Sequence, residues 1–413
     1  MSPAAVASLG ILRQPKTVIF GPGERRQLPW VIADIARHVL VVTDSRMADV
    51  VEFKEIVAAI EERGVTVSIF AEAQPDLPRE DVLAVAERFG SAGVDAILGI
   101  GGGSCMDLAK VVGAVLAHGS DVRDYYGEFL VPGPGVPVVT VPTTAGTGAE
   151  VTCVSVVFDA ERGMKVGVAS PHLEAHTAVI DPELTLSCPP GLTAATAADA
   201  LTHLVETFTD RVKEVTPEYL EAHLYVGKNP LTDIYCRNGL TLLNHSLEQV
   251  VADPSDLEAR SATMLAAYNA GMAINTAGTA AAHAIQSPIG ALTHTSHGFG
   301  VGALLPYVMR YNLPTRVTEF AEIGHLLGVA EAGMPELEAA KAGITRVEEL
   351  LDIVGCPTDL RTLGLEPKDF EYVAGQAMLA TRLTANNPRD LTQESIVSIL
   401  QHGYDADRGW WAE

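Results

Sequence analysis

The spacing of apolar positions changes character along this chain. The first half holds short, mostly apolar runs, each ending in a turn: residues 39–42 before Thr43-Asp44, 94–100 before Gly101-Gly102-Gly103, and 136–141 before Pro142-Thr143-Thr144. Runs of this length without regular polar alternation predict strands buried on both faces, as in a parallel sheet. Helical segments alternate with them. After Pro189-Pro190 long Ala/Leu-rich stretches dominate, broken at Asn229-Pro230, Asp253-Pro254 and Gly355-Cys356-Pro357. Residues 193–208 contain no Gly or Pro and predict a helix. The boundary between two domains is therefore placed at 188/189. No internal repeat or low-complexity linker interrupts the pattern.

The turns carry candidate chemistry. After residues 94–100 three glycines, Gly101, Gly102 and Gly103, let the backbone approach a ligand closely. Ser104 or Asp107 then opens a helix whose N-terminal N–H groups favour phosphate. The second turn, Pro142 to Glu150, alternates hydroxyls and glycines through Thr143, Thr144, Gly146, Thr147 and Gly148. Two such turns after buried-type strands suggest a dinucleotide cleft. Asp44, ending another strand, has two readings: an acceptor for adenosine ribose hydroxyls that repels a 2′-phosphate, or a helix N-cap. Gly21-Pro22-Gly23 lacks the third glycine of a Rossmann fingerprint, because position 26 is Arg, and reads as a turn.

In the second half, Asp199 and His203 stand four apart on the predicted helix and so share a face. His283 and His297 follow. A carboxylate and three imidazoles suit a borderline divalent ion such as Zn²⁺ or Fe²⁺. The bland alternative is a surface Asp and an unrelated core His.

Together these residues resemble the iron-containing, metal-dependent alcohol dehydrogenase family. Its GGGSxxDxAK motif is similar to Gly101–Lys110, its PTTAGTGSE to Pro142–Glu150 with Ala149 in place of Ser, and its DALTH to Asp199–His203. Its H…PxGA…HG segment runs here from His283 through Pro288, Gly290 and Ala291 to His297-Gly298, and Asn387-Pro388-Arg389 matches near the C-terminus. The resemblance covers nearly the whole chain. It implies an α/β Rossmann-like nucleotide-binding domain over residues 1–188 and an all-α metal-binding domain over 189–413. It implies NAD and Fe²⁺ (or Zn²⁺) as cofactors, with Asp199, His203, His283 and His297 as metal ligands. The expected activity is oxidation of a small primary alcohol or reduction of its aldehyde. The ion acts as a Lewis acid on the substrate oxygen, and the nicotinamide carries the hydride. The same resemblance places Lys165 near the nicotinamide ribose and Gln74, where the family often has Asn, near the adenine.

Two departures stand out. The family's relay histidine, four residues after the third ligand, is Ser287 here. Either Ser287 passes protons through water or His294 takes over; His294 also reads as a plain surface histidine. The connection over 209–228 is longer than usual and predicts an added helical turn or two near the metal domain, shaping a cleft, an oligomer interface or merely the surface.

Composition sets limits. The net charge of −24 argues against nucleic acid as a partner. Five cysteines in no CxxC pair argue against a secreted disulfide framework. No apolar run reaches the roughly eighteen residues needed to span a membrane, and residues 1–13 show no signal-peptide pattern. The expectation is a cytoplasmic enzyme, a homodimer or larger homo-oligomer, with a small alcohol or aldehyde as its partner. Two other classes remain: a non-redox metal-dependent lyase or hydrolase on the same scaffold, and a non-catalytic nucleotide sensor.

Overall fold

In the computed structural model, which describes residues 9–412, the chain forms two compact units. One comprises Arg13–Cys188 with Thr216–Leu224; the other comprises Pro189–Val215 and the chain from Tyr225 onward, with the described residues before Arg13. Of the segment expected to lack a signal peptide, residues 1–8 lie outside the described residues.

The first unit holds nine strands: β1 (Thr17–Phe20), β2 (His38–Val42), β3 (Thr66–Phe70), β4 (Ala96–Gly101), β5 (Gly127–Glu128), β6 (Val138–Pro142), β7 (Val154–Asp159), β8 (Met164–Ala169) and β9 (Thr177–Ile180). Six form a wholly parallel sheet in the order β1-β9-β6-β4-β2-β3. Between these strands run the helices α1 (Leu28–Ile35), α2 (Ser45–Asp49), α3 (Val51–Glu61), α4 (Arg79–Phe89) and α5 (Gly103–His118). Alternation within the apolar runs explains how both faces are covered. Val39 and Val41 join Leu28, Ile32, Phe53 and Ile60 of α1 and α3 in one core. Leu40 and Val42 point the other way and join Val82, Val85, Leu108 and Val112 of α4 and α5 in a second core. A sheet sandwiched like this cannot show the polar–apolar alternation of a half-exposed strand.

Register then positions the turns. Gly101 pairs with Pro142 across β4 and β6, so both glycine turns leave the same sheet edge side by side. The strand order reverses between β2 and β4, and ligands of doubly wound sheets bind beyond the carboxyl ends of the strands at such a point. Asp44 follows β2 there. A second, three-stranded sheet, β5-β8-β7, packs its β7–β8 pair antiparallel.

The second unit is helical: α6 (Pro190–Thr209), α8 (Pro230–Ala252), α9 (Leu257–Ala277), α10 (Ala281–Thr293), α11 (His297–Asn312), α12 (Val317–Leu326), α13 (Glu336–Ile353), α14 (Phe370–Leu379), α15 (Thr381–Asn386) and α16 (Gln393–Tyr404). Its Asx and Thr residues start helices by satisfying orphan N–H groups. Asn229 accepts from Leu231 and Thr232, Asp256 from Glu258 and Ala259, and Thr392 from Ser395. Ile285, Ile289, Leu304, Tyr307, Phe370 and Ile399 fill a core between α10, α11, α14 and α16.

The long 209–228 connection adds the expected helical turn or two, but not in the helical unit. It contributes one short helix, α7 (Pro217–Ala222), and this helix belongs to the sheet-bearing unit rather than to the helical one. Two hydrogen bonds to residues remote in sequence hold it there. The Leu224 N–H donates to the Glu128 carboxylate at 2.5 Å, and the Leu224 carbonyl accepts from Arg13 at 3.0 Å.

Candidate metal centre and nucleotide turns

Helix α6 presents Asp199, His203 and Glu206 along one stripe, spaced by four and then three residues. All three are buried. Helix α10 adds His283 and, three residues on, Gln286; His297 is the first residue of α11. Gly298 allows that arrangement. A Cβ there would fall 1.9 Å from the Ala195 carbonyl oxygen and 3.3 Å from the Asp199 Cβ, so only glycine lets α11 begin against α6.

Three imidazoles converge on one carboxylate oxygen. Asp199 Oδ1 lies 3.5 Å from His203 Nε2, 3.6 Å from His297 Nε2 and 3.9 Å from His283 Nε2. Donors around a tetrahedral ion at about 2.1 Å stand roughly 3.4 Å apart, so these separations are those of a ligand shell. The donor atoms of Asp199, His283 and His297 all lie within 4.8 Å of one another. His203 reaches Asp199 and stacks on His283, ring centroids 4.8 Å apart, but falls outside that tightest group.

Two of the outer nitrogens are held from behind. His283 Nδ1 meets Glu206 Oε2 at 2.6 Å, and His297 Nδ1 meets Gln286 Oε1 at 2.9 Å. His283 Nε2 is buried without a hydrogen-bond partner among the described residues. An unsatisfied buried nitrogen costs on the order of 1–3 kcal/mol, and a divalent cation would satisfy its lone pair. The donor set, one carboxylate with imidazoles backed by oxygen acceptors, therefore fits such an ion. Burial pushes the Glu206 carboxyl up, but the His283 ring and the Ala280 and Ala282 N–H groups outweigh it and hold it below its usual range.

Glu206 and Gln286 were not singled out from the sequence. The available signal was helical spacing from His203 and His283; their partners lie 77 and 11 residues away. Ser287 is half-buried on α10, one turn beyond His283. His294 is exposed, with φ 54°, and closes α10 through its own N–H to the Gly290 carbonyl. Neither side chain makes a hydrogen bond among the described residues.

In the other unit the glycine turns meet at the start of α5. Gly102 is its N-cap and Gly103 its first residue; a Cβ on Gly103 would fall 2.8 Å from Thr147 Cγ2. The Thr143 N–H donates to the Gly101 carbonyl, while its buried hydroxyl has no partner among the described residues. Thr144 Oγ1 lies beside Gly102, Thr147 Oγ1 accepts from the Ala149 N–H, and Ser104 sits half-buried in the first turn of α5. These features leave donors, a hydroxyl and a helix N-terminus available to a dinucleotide.

Other expected cofactor residues have protein partners. Asp107 accepts from the Val156 N–H at 3.0 Å and pairs with Lys110 at 2.9 Å. Lys110 Nζ is buried and also donates to Ala149, Thr152 and Val154 carbonyls, tying the second turn to α5. Gln74 donates through its side-chain amide to Asp81, and Lys165 pairs with Asp76 at 2.6 Å. Asp44 does cap α2, accepting from Met47 through Oδ1, while Oδ2 faces the Cys105 thiol at 3.7 Å. The two readings of Asp44 are thus compatible. All five cysteines are buried, and burial pushes the Cys105 thiol up to about 12.

Comparisons with known proteins follow the same lines. A family model described as iron-containing alcohol dehydrogenase matches residues 15–182, and one for the C-terminal domain of that family matches 218–404. The NAD-dependent methanol dehydrogenase of Bacillus methanolicus is 33% identical over 389 residues, covering 94% of this chain and 98% of that protein. A solved 1,3-propanediol oxidoreductase superposes with a TM-score of 0.89 at 31% identity, covering 96% of this chain and all of that one. The sulfoacetaldehyde reductase of Bifidobacterium kashiwanohense, solved with NAD⁺, gives 0.82 at 26% identity, covering 97% and 100%. No helix among the described residues is long and apolar enough to cross a membrane.

Proposed function

The chain belongs to the iron-containing alcohol dehydrogenase family, and from that premise we propose that it interconverts a small primary alcohol and its aldehyde with NAD(H). The convergence of three imidazole Nε2 atoms on Asp199 Oδ1 carries this reading. Asp199, His203, His283 and His297 would hold Fe²⁺ or Zn²⁺. When bound, the ion supplies Lewis acidity that favours the deprotonated alcohol and polarises the aldehyde carbonyl. NAD supplies the hydride acceptor.

The chain's own residues do the rest. Asp199 offsets the cation's charge in a buried place. Gly102, Gly103 and Ser104, at the N-terminus of α5, suit a pyrophosphate. The Thr143 and Thr144 hydroxyls lie beside that turn, and Thr147 braces it. Asp44 reaches toward the ribose and disfavours a 2′-phosphate. Asp107, Gln74 and Lys165 act by holding the turns through their partners. Of the two candidates for proton transfer Ser287 is favoured, because it shares the helix face of His283, whereas His294 ends its helix in solvent. The relatives' names span methanol, 1,3-propanediol, choline, long-chain alcohols and sulfoacetaldehyde, which supports a class, primary alcohols and their aldehydes, rather than one compound. A cytoplasmic homo-oligomer is part of the same proposal. A lyase or hydrolase finds less support, since these relatives are named as dehydrogenases and reductases.

Short alcohols and aldehydes screened by nicotinamide fluorescence, with metal content measured on the same sample, test the proposal. His283→Ala should lose metal and turnover together, by at least the ~10–100-fold that follows loss of an outer metal-site partner, while NAD binding persists. Full metal occupancy in that variant would remove His283 from the ligand set.

A further inference from the structure

Helix α10 carries His283 but begins without a cap of its own. Its N-cap is Ala280, which has no side-chain acceptor, in an unusual backbone conformation (φ −133°, ψ −132°). The first N–H groups of a helix need acceptors. Here one carboxylate from another helix supplies them: Glu206 Oε2 accepts from the Ala280 N–H at 3.0 Å, and Oε1 from the Ala282 N–H at 2.6 Å. The same Oε2 meets His283 Nδ1.

We propose that Glu206 is the positioning residue of the metal centre: it caps α10 from across the bundle and fixes which nitrogen of His283 faces Asp199. This rests on the reading of His283 as a ligand. A carboxylate is an acceptor only. With both oxygens engaged by backbone N–H groups, Glu206 cannot rotate to offer anything else. At 2.6 Å the Nδ1 must therefore carry the proton, which leaves the Nε2 lone pair directed at the ion site. Most metal-bound histidines are oriented by an acceptor behind them in this way. Gln286 faces His297 Nδ1 similarly, but an amide can turn over and present its NH₂ instead. Only the Glu206 contact is locked. Glu206 also adds a second buried negative charge beside Asp199, so a divalent cation there would be balanced rather than left as a net charge in a low-dielectric interior.

Two measurements test this without relying on turnover. In metal-free wild type above the imidazole titration range, nitrogen-15 imidazole shifts, assigned by comparison with His283→Ala, should place the proton on Nδ1. A proton on Nε2 would overturn the proposal. Zinc is then titrated into metal-free wild type and Glu206→Gln against a chromogenic chelator. The variant should bind ~10–100-fold more weakly, and its His283 should show a mixed tautomer population. If the variant melts lower yet keeps the wild-type tautomer and zinc affinity, Glu206 is a structural cap and the proposal fails. If Glu206→Gln does not fold, the wild-type tautomer still decides. If wild type itself holds no divalent ion, the functional reading fails, and the tautomer alone decides the role of Glu206.

Discussion

Asp44 shows how one side chain can serve two ends. Its Oδ1 caps α2, which bears out the cap reading, while Oδ2 faces the Cys105 thiol and is the oxygen proposed for the ribose. Asn caps about as well as Asp. Asp44→Asn should therefore keep the melting temperature while removing the charge that opposes a 2′-phosphate. We expect the ratio of kcat/KM for NADP to that for NAD to rise about tenfold, or ~1.4 kcal/mol. An unchanged ratio would take Asp44 away from the adenosine. At this scale the sequence was legible wherever chemistry follows a local pattern: the i, i+4 pair Asp199 and His203, or the glycines before α5. It was not legible where a residue's partner is remote. Glu206 looked like a polar residue near the end of a helix, because nothing local announces that the N–H groups of Ala280 and Ala282 come to it.

Among elements, the buried strands β2, β4 and β6 were readable because both faces demand apolar residues. The β5-β8-β7 sheet was not; its strands are short or half-exposed, with polar positions such as Glu128, Ser155 and Lys165. The turn between α9 and α10 is held by three side chains from elsewhere in the helical unit. Thr207 donates to the Gly278 carbonyl, Glu206 accepts at Ala280, and the Asn386 amide donates to the Ala277 and Thr279 carbonyls at 3.1 and 3.2 Å. The same Asn386 amide donates to Asp210 at 2.6 Å, where burial and then nearby Glu206 push the buried carboxyl well above its usual range. Its neighbour Asn387 exchanges a pair of amide hydrogen bonds with Asn312. Asn386 thus braces the turn that leads into His283, while the adjoining Asn-Pro-Arg motif holds the end of α11 through Asn312 and Tyr311. Asn386→Asp would remove these donors and set a second carboxyl against Asp210. Urea unfolding should show a loss of about 2–4 kcal/mol; a loss below about 0.5 kcal/mol would mean the turn holds without it.

For the molecule as a whole, stability should depend on a carboxyl in the second glycine turn. Glu150 is fully buried, and burial pushes it up to about 7 from 4.5, despite nearby Lys110. An unfolded chain releases that proton first. The stability contributed by the neutral buried acid is therefore complete below about pH 4.5 and is lost as the pH climbs to about 7, an effect on the order of 3 kcal/mol. Glu150→Gln should flatten this limb, so the melting-temperature difference between variant and wild type grows in the variant's favour from about pH 5 to about pH 8. A constant difference would mean that Glu150 is ionised throughout.

The excursion of Thr216–Leu224 into the sheet-bearing unit has a consequence for the order of synthesis. On a ribosome, N-terminal domains usually fold as soon as they emerge. Here the acceptor on Glu128 and the donor on Arg13 wait for Leu224, so the sheet-bearing unit cannot complete its hydrogen bonds until part of the helical unit, including α6, has already been made. The dependence also runs backward: the Ile11 carbonyl, which precedes the sheet-bearing unit in the chain, accepts from Thr276. No single cut in the coding sequence would separate the two units, because each is interrupted by a segment of the other.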